Sequence, residues 1–225
     1  MLSLETWIIF LSASLALAFA PGPGMLYVLS RTIAGGRKAG MLSTCGTAIG
    51  GTVHVIGAAV GVSALLAASQ VAFVILKLAG GIFLVYLGLK MILSKHYIEA
   101  PTTQSSDVSA PTSTSILLQG MATEVLNPKT AIFFLAFIPQ FVQLQNGSVF
   151  AQFIVLGLIV VVLNTVPDFL IASFAKPLES LWRSSLRIRK AQQTVGGLFL
   201  IGLGIFTLTS GSYKPLNGEA ASGVH

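Results

Sequence analysis

Six apolar segments, each close to the length of a bilayer span, account for most of this chain. A transmembrane α-helix needs ~20 predominantly apolar residues. Stretches near that length cover residues 4–30, 40–68, 71–93, 116–141, 150–175 and 193–210. Only 9% of the residues are charged, against about 25% in a soluble domain. The chain is therefore predicted to be an all-α membrane protein with six transmembrane helices.

The basic residues between the segments predict how the chain is oriented. Lysine and arginine follow the first, third and fifth segments and are absent from the connections after the second and fourth. By the positive-inside rule the odd-numbered connections are cytoplasmic, which places both termini outside. The basic residues concerned are Arg31, Arg37, Lys38, Lys90, Lys95, Lys176, Arg183, Arg187, Arg189 and Lys190.

An internal repeat predicts the architecture. Segment three reads GGIFLVYLGL from Gly80 and segment six reads GGLFLIGLGI from Gly196, with six of ten positions identical. Two halves of three spans each enter the membrane from opposite sides, which is the inverted repeat of many secondary transporters. We expect a first three-helix repeat over 1–93, a cytoplasmic Ser/Thr/Pro-rich linker over 94–115, a second repeat over 116–211 and a short disordered tail over 212–225.

Helix breakers interrupt the first and fourth segments at mid-span, in APGPG at 20–24 and NPK at 127–129. Proline removes a backbone donor and frees the carbonyl four residues earlier. In hydrocarbon such a group survives only inside protein or beside a wet cavity. Two matching breaks at one depth predict a central binding site, although proline kinks that only shape packing are the alternative.

The residue types at the two breaks suggest how a ligand is held. Asn127 and Pro128 form a good helix start, as N-cap and first helical residue. Lys129 adds positive charge to the positive end of that helix, which favours an anionic ligand group there. Gly22 lies between Pro21 and Pro23, and Gly24 follows Pro23. Because glycine has no side chain, a ligand can approach the backbone closely there. The candidate substrate-binding residues at the breaks are Pro21, Gly22, Pro23, Gly24, Asn127, Pro128 and Lys129.

Charged residues inside the segments are the second indication of a site. Glu124, Lys129 and Asp168 lie where a charge costs at least ~2.5–3.5 kcal/mol, so they are expected to face each other or a wet cavity. Asn164 lies four residues before Asp168 and shares its helix face. These residues either form structural ion pairs or bind a substrate, with Asp168 or Glu124 exchanging a proton for a substrate ammonium.

Two features of segment two have a structural explanation beside a functional one. His54 is a tentative member of a proton relay, and a hydrogen-bonded histidine in a tight interface is the plainer interpretation. Gly46, Gly50, Gly57 and Gly61 share one helix face, which predicts close packing of another helix.

Several classes of function are disfavoured by the sequence. The net charge is +6, but the sequence has no basic stripe with interleaved aromatic residues, so no nucleic-acid partner is expected. Cys45 is the only cysteine, and no paired-histidine or activated-serine motif is present. We therefore expect no enzyme activity, no cofactor and no bound metal. A channel and a divalent metal-ion exporter of related architecture remain alternatives.

The stretches APGPGMLYVLSRTIAGGRKAG and GMATEVLNPKTAIFFLAFIPQF resemble the LysE/RhtB family of bacterial amino-acid exporters. The resemblance covers nearly the whole chain and includes PGP in span one and NPK followed by PQF in span four. It implies proton-driven antiport of amino acids or close derivatives, neutral or basic or of the homoserine/threonine type, across the bacterial inner membrane. Pro21–Pro23 and Asn127–Lys129 fall on the family's motif positions. The expected partners are an amino-acid substrate, protons and membrane lipid, with a homodimer possible.

Overall fold

The computed structural model describes residues 3–93, 112–143, 146–174 and 186–209, and these parts are almost entirely helical. The long helices are α1 (Leu4–Phe19), α2 (Pro23–Ala68), α3 (Gln70–Leu93), α4 (Ser113–Val125), α6 (Val149–Ser173) and α7 (Leu186–Thr209). The short α5 (Pro128–Ile132) continues into a π-helical turn (Phe133–Phe137) and a 3-10 turn (Ile138–Phe141). The all-helical class is confirmed for these residues.

Length and composition identify fewer membrane spans than the six expected. Three helices qualify individually, over Pro23–Ala68, Val71–Leu93 and Val149–Ser173, and a fourth span results if Ser113–Val125 and Pro128–Phe141 are one span bent by 47°. The apolar helices Leu4–Phe19 and Gln193–Thr209 are shorter. The chain is thus a helical protein with three or four candidate spans by this measure.

The first two predicted segments are joined into a single kinked helix. Helix α2 begins at Pro23 and continues to Ala68, so the predicted connection after Arg31 is mostly helical. Only Gly36 leaves the helical conformation, with φ 70° and ψ −170°. That left-handed φ is open to glycine because it has no Cβ. The turn between the two arms of α2 is therefore made by one residue.

Both predicted breaks are present. Helix α1 ends at Phe19 and α2 starts at Pro23, with Gly22 as its N-cap. Helix α4 ends at Val125 and α5 starts at Pro128, with Asn127 as its N-cap. Proline at the first helical position explains both restarts, since its missing N–H would have no partner there in any case.

An aromatic cluster packs α1 against the segment that follows the second break. Phe10 stacks on Phe137, with ring centroids 6.2 Å apart, and meets Phe141 edge-on at 5.1 Å. Phe133 packs against Phe137 at 4.6 Å. Elsewhere α2 packs along both α4 and α6, and α3 packs along α7. The two breaks are thereby held next to each other inside the helical bundle.

The linker over 94–115 is described only from Thr112, and α4 already begins at Ser113. The predicted tail over 212–225 lies outside the described residues, as do Lys95, Lys176 and Arg183.

Candidate functional site

A small cavity lies where the two breaks meet α2 and α6. Its volume is about 40 Å³, enough for about three water molecules. Polar and apolar residues contribute equally to its lining. The polar lining is Thr47, Glu124, Asn127, Lys129, Thr130, Asn164, Thr165 and Asp168, and the remaining lining is Ala18, Gly22, Gly24, Met25, Ala48, Gly51, Phe134 and Val161.

The first break leaves a free carbonyl, and Lys129 binds it. Pro21 has no N–H, so the carbonyl of Leu17, four residues earlier, lacks its helical donor. That oxygen accepts a hydrogen bond from the backbone N–H of Ala20 at 3.1 Å and from the Lys129 ammonium at 3.3 Å. The same ammonium donates to the carbonyl of Ala20 at 2.8 Å. Lys129 therefore places its charge at the C-terminal, negative end of α1, where a cation is favoured.

The second break repeats this arrangement with different residues. Pro128 frees the carbonyl of Glu124, four residues earlier. That oxygen accepts from the backbone N–H of Asn127 at 3.0 Å and is 2.9 Å from Nε2 of His54. The Asn127 side chain caps α5 by accepting from the N–H of Lys129 at 3.1 Å. The predicted helix start at Asn127 and Pro128 is confirmed.

The carboxylate of Glu124 is buried and bound by neutral donors on both oxygens. Oε1 accepts from the Thr130 hydroxyl at 2.6 Å, and Oε2 accepts from the Asn127 amide at 3.1 Å. A Cβ added at Gly24 would collide with Oε2, so the carboxylate lies directly against the first turn of α2. An anion is favoured at that positive helix end.

Asp168 is the second buried carboxylate, and within the described residues only one of its oxygens is hydrogen-bonded. Its Oδ2 accepts from the Thr47 hydroxyl at 3.1 Å. In the described part of the chain no hydrogen bond to its Oδ1 is found. Asn164 lines the cavity with Asp168, as their spacing on α6 predicted. Both carboxylates line the cavity, and among the described residues Asp168 accepts fewer hydrogen bonds than Glu124.

The predicted site residues fall into two groups. The three intramembrane charges, Glu124, Lys129 and Asp168, line one cavity as expected, and so do Gly22, Gly24, Asn127 and Asn164. The other predicted residues are not in the cavity lining, and this group is Pro21, Pro23, Pro128 and His54. The prolines shape the breaks that position the lining residues.

Three threonines in the site, Thr47, Thr130 and Thr165, were not identified from the sequence. Thr130 directly follows the NPK motif, so its position beside the second break was an available signal. No local pattern marks Thr47, which reaches Asp168 only because α2 packs along α6. Among the described residues, no group of three or more His, Cys, Asp and Glu side chains is placed to hold a metal ion.

Comparison with known proteins places the chain in a family. It is 30% identical over 83% of its length to the "Uncharacterized membrane protein YrhP" of Bacillus subtilis, covering 90% of that protein. It is 25% identical to the homoserine/homoserine lactone efflux protein of Salmonella typhimurium, over 89% of this chain and 95% of the relative. It is 29% identical to the leucine efflux protein of Klebsiella pneumoniae, over 70% of this chain and 73% of the relative.

No solved structure matches the chain. The family model described as LysE type translocator matches residues 15–211. The chain belongs to the LysE type translocators and is a membrane transport protein.

Proposed function

We propose that the protein exports amino acids or close derivatives in exchange for protons. The observation that carries this proposal is one cavity, lined by both helix breaks, that brings the half-buried Lys129 and two buried carboxylates together. A zwitterion carries one group for each sign of charge. Relatives named for homoserine and leucine efflux support this substrate class.

Each end of the substrate has a partner in this proposal. The substrate ammonium binds Asp168 through Oδ1, and Asn164 supports it from one turn earlier on α6. The substrate carboxylate binds Lys129. A lysine ammonium has three N–H donors, and two of them are used by the carbonyls of Leu17 and Ala20, which leaves the third for the substrate.

Asp168 is the carboxylate that we assign to proton exchange. Glu124 already accepts hydrogen bonds from Thr130 and Asn127 on its two oxygens. Protonation of Glu124 would weaken these bonds, because a charged acceptor makes stronger hydrogen bonds than a neutral one. Asp168 accepts only the Thr47 hydroxyl. A proton and a substrate ammonium therefore compete for Asp168, and arrival of one releases the other.

An inverted repeat of six spans is the architecture that we propose for this carrier. Helices α3 and α7 carry the repeated decapeptides, in which Gly81 corresponds to Gly197 and Gly88 to Gly204. A methyl group added at Gly88 would lie 2.5 Å from the carbonyl oxygen of Gly197, and one added at Gly204 would lie 2.6 Å from that of Gly81. Replacing each glycine by its counterpart in the other half turns the first contact into the second. This supports a two-fold relation between the two halves.

The carrier works by alternating access across the bacterial inner membrane, with both termini on the periplasmic side. A cavity of about 40 Å³ is far below the 300–1,000 Å³ of typical ligand pockets. The conformation described is thus a contracted one, and rocking of one half against the other would widen the cavity toward each side in turn.

Efflux from loaded proteoliposomes tests the proposal. Labelled homoserine, threonine, leucine and lysine are loaded singly, with and without a pH gradient that is acidic on the receiving side. We expect saturable efflux of a subset that the gradient accelerates and unlabelled analogues inhibit. Efflux of no amino acid, or efflux that neither saturates nor responds to the gradient, would refute it. Divalent metals and a conductance measurement then test the metal exporter and the channel.

A further inference from the structure

The carbonyls freed by the two breaks are satisfied by the same pattern of donors. In each case the carbonyl four residues before a proline accepts from the backbone N–H just before that proline. In each case it also meets a side-chain nitrogen from a distant helix, which is Lys129 at Leu17 and His54 at Glu124. We propose that His54 and Lys129 are a matched pair of positioning residues that hold the two breaks in register.

The chemistry of the carbonyl defines what His54 does in this pair. A carbonyl oxygen only accepts hydrogen bonds, so Nε2 of His54 must carry a hydrogen and donate it. That nitrogen is thereby committed to the backbone, and His54 is absent from the cavity lining. Its ring also stacks on Phe134 with centroids 6.2 Å apart, and Phe134 does line the cavity. His54 therefore acts on the cavity through Glu124 and Phe134.

The two donors cross between the halves of the chain. His54 belongs to α2 in the first half and holds the end of α4 in the second. Lys129 follows α4 in the second half and holds the end of α1 in the first. Without its side-chain donor each carbonyl would keep only the backbone N–H that precedes the proline. The hydrogen bond that ties the break to the other half would be gone, so the break could shift. The shift would displace Glu124 from the start of α2.

His54 is the better member of the pair to test, because Lys129 also faces the cavity and is a substrate ligand in the proposed function on which this inference rests. Two substitutions separate the ring from the donor. His54→Phe keeps an aromatic ring against Phe134 and removes the N–H. His54→Gln keeps an N–H at nearly the same place but has no titratable group. Gly57→Ala, three residues along α2, is the matched control, since nothing lies within 4 Å of an added methyl group there.

The experiment measures efflux from proteoliposomes, with substrate concentration and pH gradient varied for each variant. We expect His54→Phe to lower the rate about ten-fold, since the Glu124 carbonyl keeps the Asn127 N–H but loses the hydrogen bond that ties it to α2. We expect His54→Gln to recover the rate to within about three-fold and to keep the full acceleration by the gradient. Gly57→Ala should match the wild type in its efflux rate and in its acceleration by the gradient.

Two outcomes would overturn the inference. Loss of gradient acceleration in His54→Gln would make His54 a proton relay, and a normal rate in His54→Phe would show that the bond to Glu124 is dispensable. If the wild type itself exports no amino acid, the proposed function fails and a second measurement still decides the inference. In a Cys45→Ser background, Thr165→Cys places a thiol in the cavity, and His54→Phe but not His54→Gln should raise its rate of modification several-fold.

Discussion

At the scale of single residues, two glycines in the first break let charged side chains from the second break approach it closely. A Cβ added at Gly22 would lie 3.0 Å from the Lys129 ammonium nitrogen, and one added at Gly24 would collide with the Glu124 carboxylate. The absence of side chains allows a cation to reach the C-terminus of α1 and an anion to reach the N-terminus of α2. Each charge sits at the helix end of opposite sign, which offsets part of its burial.

Asp168 is the residue whose substitution should separate transport from assembly. Asp168→Asn keeps the size of the side chain and can still accept from Thr47, but it removes the charge that would bind a substrate ammonium or a proton. Hydrogen bonds to charged groups are worth about 1.5–3 kcal/mol, so efflux should fall ten-fold or more and lose its response to a pH gradient. Efflux and the amount of inserted protein are measured together.

The control for this substitution is Val162→Ala, on the exposed face of the same helix. It should insert and export as the wild type does. Normal gradient-driven efflux by Asp168→Asn would show that proton exchange is carried by another group.

The sequence predicted which charged residues share a cavity but not the atoms that they bind. Segment position is enough to place Glu124, Lys129 and Asp168 well inside their segments, where a charge is expected to face another charge or a wet cavity. The prediction that a proline frees a carbonyl four residues earlier also follows from the chain alone. That Lys129 and His54 supply the donors depends on how distant helices pack, and no local pattern encodes that.

At the scale of the helices, the glycine ridge of α2 divides into a packed part and an open part. Ideal Cβ atoms at Gly46 and Gly50 would contact the backbone of α4, whereas nothing lies within 4 Å of such atoms at Gly57 and Gly61. The ridge was predicted to let another helix pack close, and α4 does so at the first two glycines. Within the described chain no helix reaches the last two, because α4 ends at Val125.

Alanine substitutions along this ridge should therefore have opposite effects on stability. At Gly50 a methyl group would lie 2.7 Å from the carbonyl oxygen of Met121 and 2.8 Å from Cβ of Glu124. Overpacking of this kind costs about 1–3 kcal/mol. Gly57→Ala meets no neighbour and gains helix propensity, so its free energy of unfolding should equal or exceed the wild-type value by up to ~1 kcal/mol.

Unfolding midpoints of the purified variants in detergent measure this difference. Equal midpoints for Gly50→Ala and Gly57→Ala would contradict the close packing of α2 on α4.

At the scale of the whole molecule, the size of the cavity determines how a substrate could pass. The charged groups converge on a cavity that holds about three water molecules, and the halves meet at the cavity and along the α3 and α7 glycines. In the proposed function, a substrate the size of an amino acid enters only if the two halves separate. Tyr27 and Arg31 on α2 contact the start of α4 through the Ile116 carbonyl and the Gln119 side chain. These contacts would have to part if the cavity opens on that side.

Alternating access predicts that a thiol in the cavity is reached from both sides of the membrane. Cys45 is the only cysteine, so Cys45→Ser with Thr165→Cys yields a single reporter in the cavity lining. A membrane-impermeant thiol reagent should modify it in right-side-out and in inverted vesicles, because both open states are visited. Saturating substrate should slow the modification on both sides.

The control is the Cys45→Ser protein with its cavity unchanged, which should not react at all. Modification from only one side would contradict alternating access, and modification from both sides together with a steady ionic current would favour a channel. Modification from both sides without current requires that the two openings exist at different times. The cavity is lined by residues from both breaks. The geometry that His54 and Lys129 give the breaks would then have to persist, or re-form, in the inward-open and in the outward-open conformation.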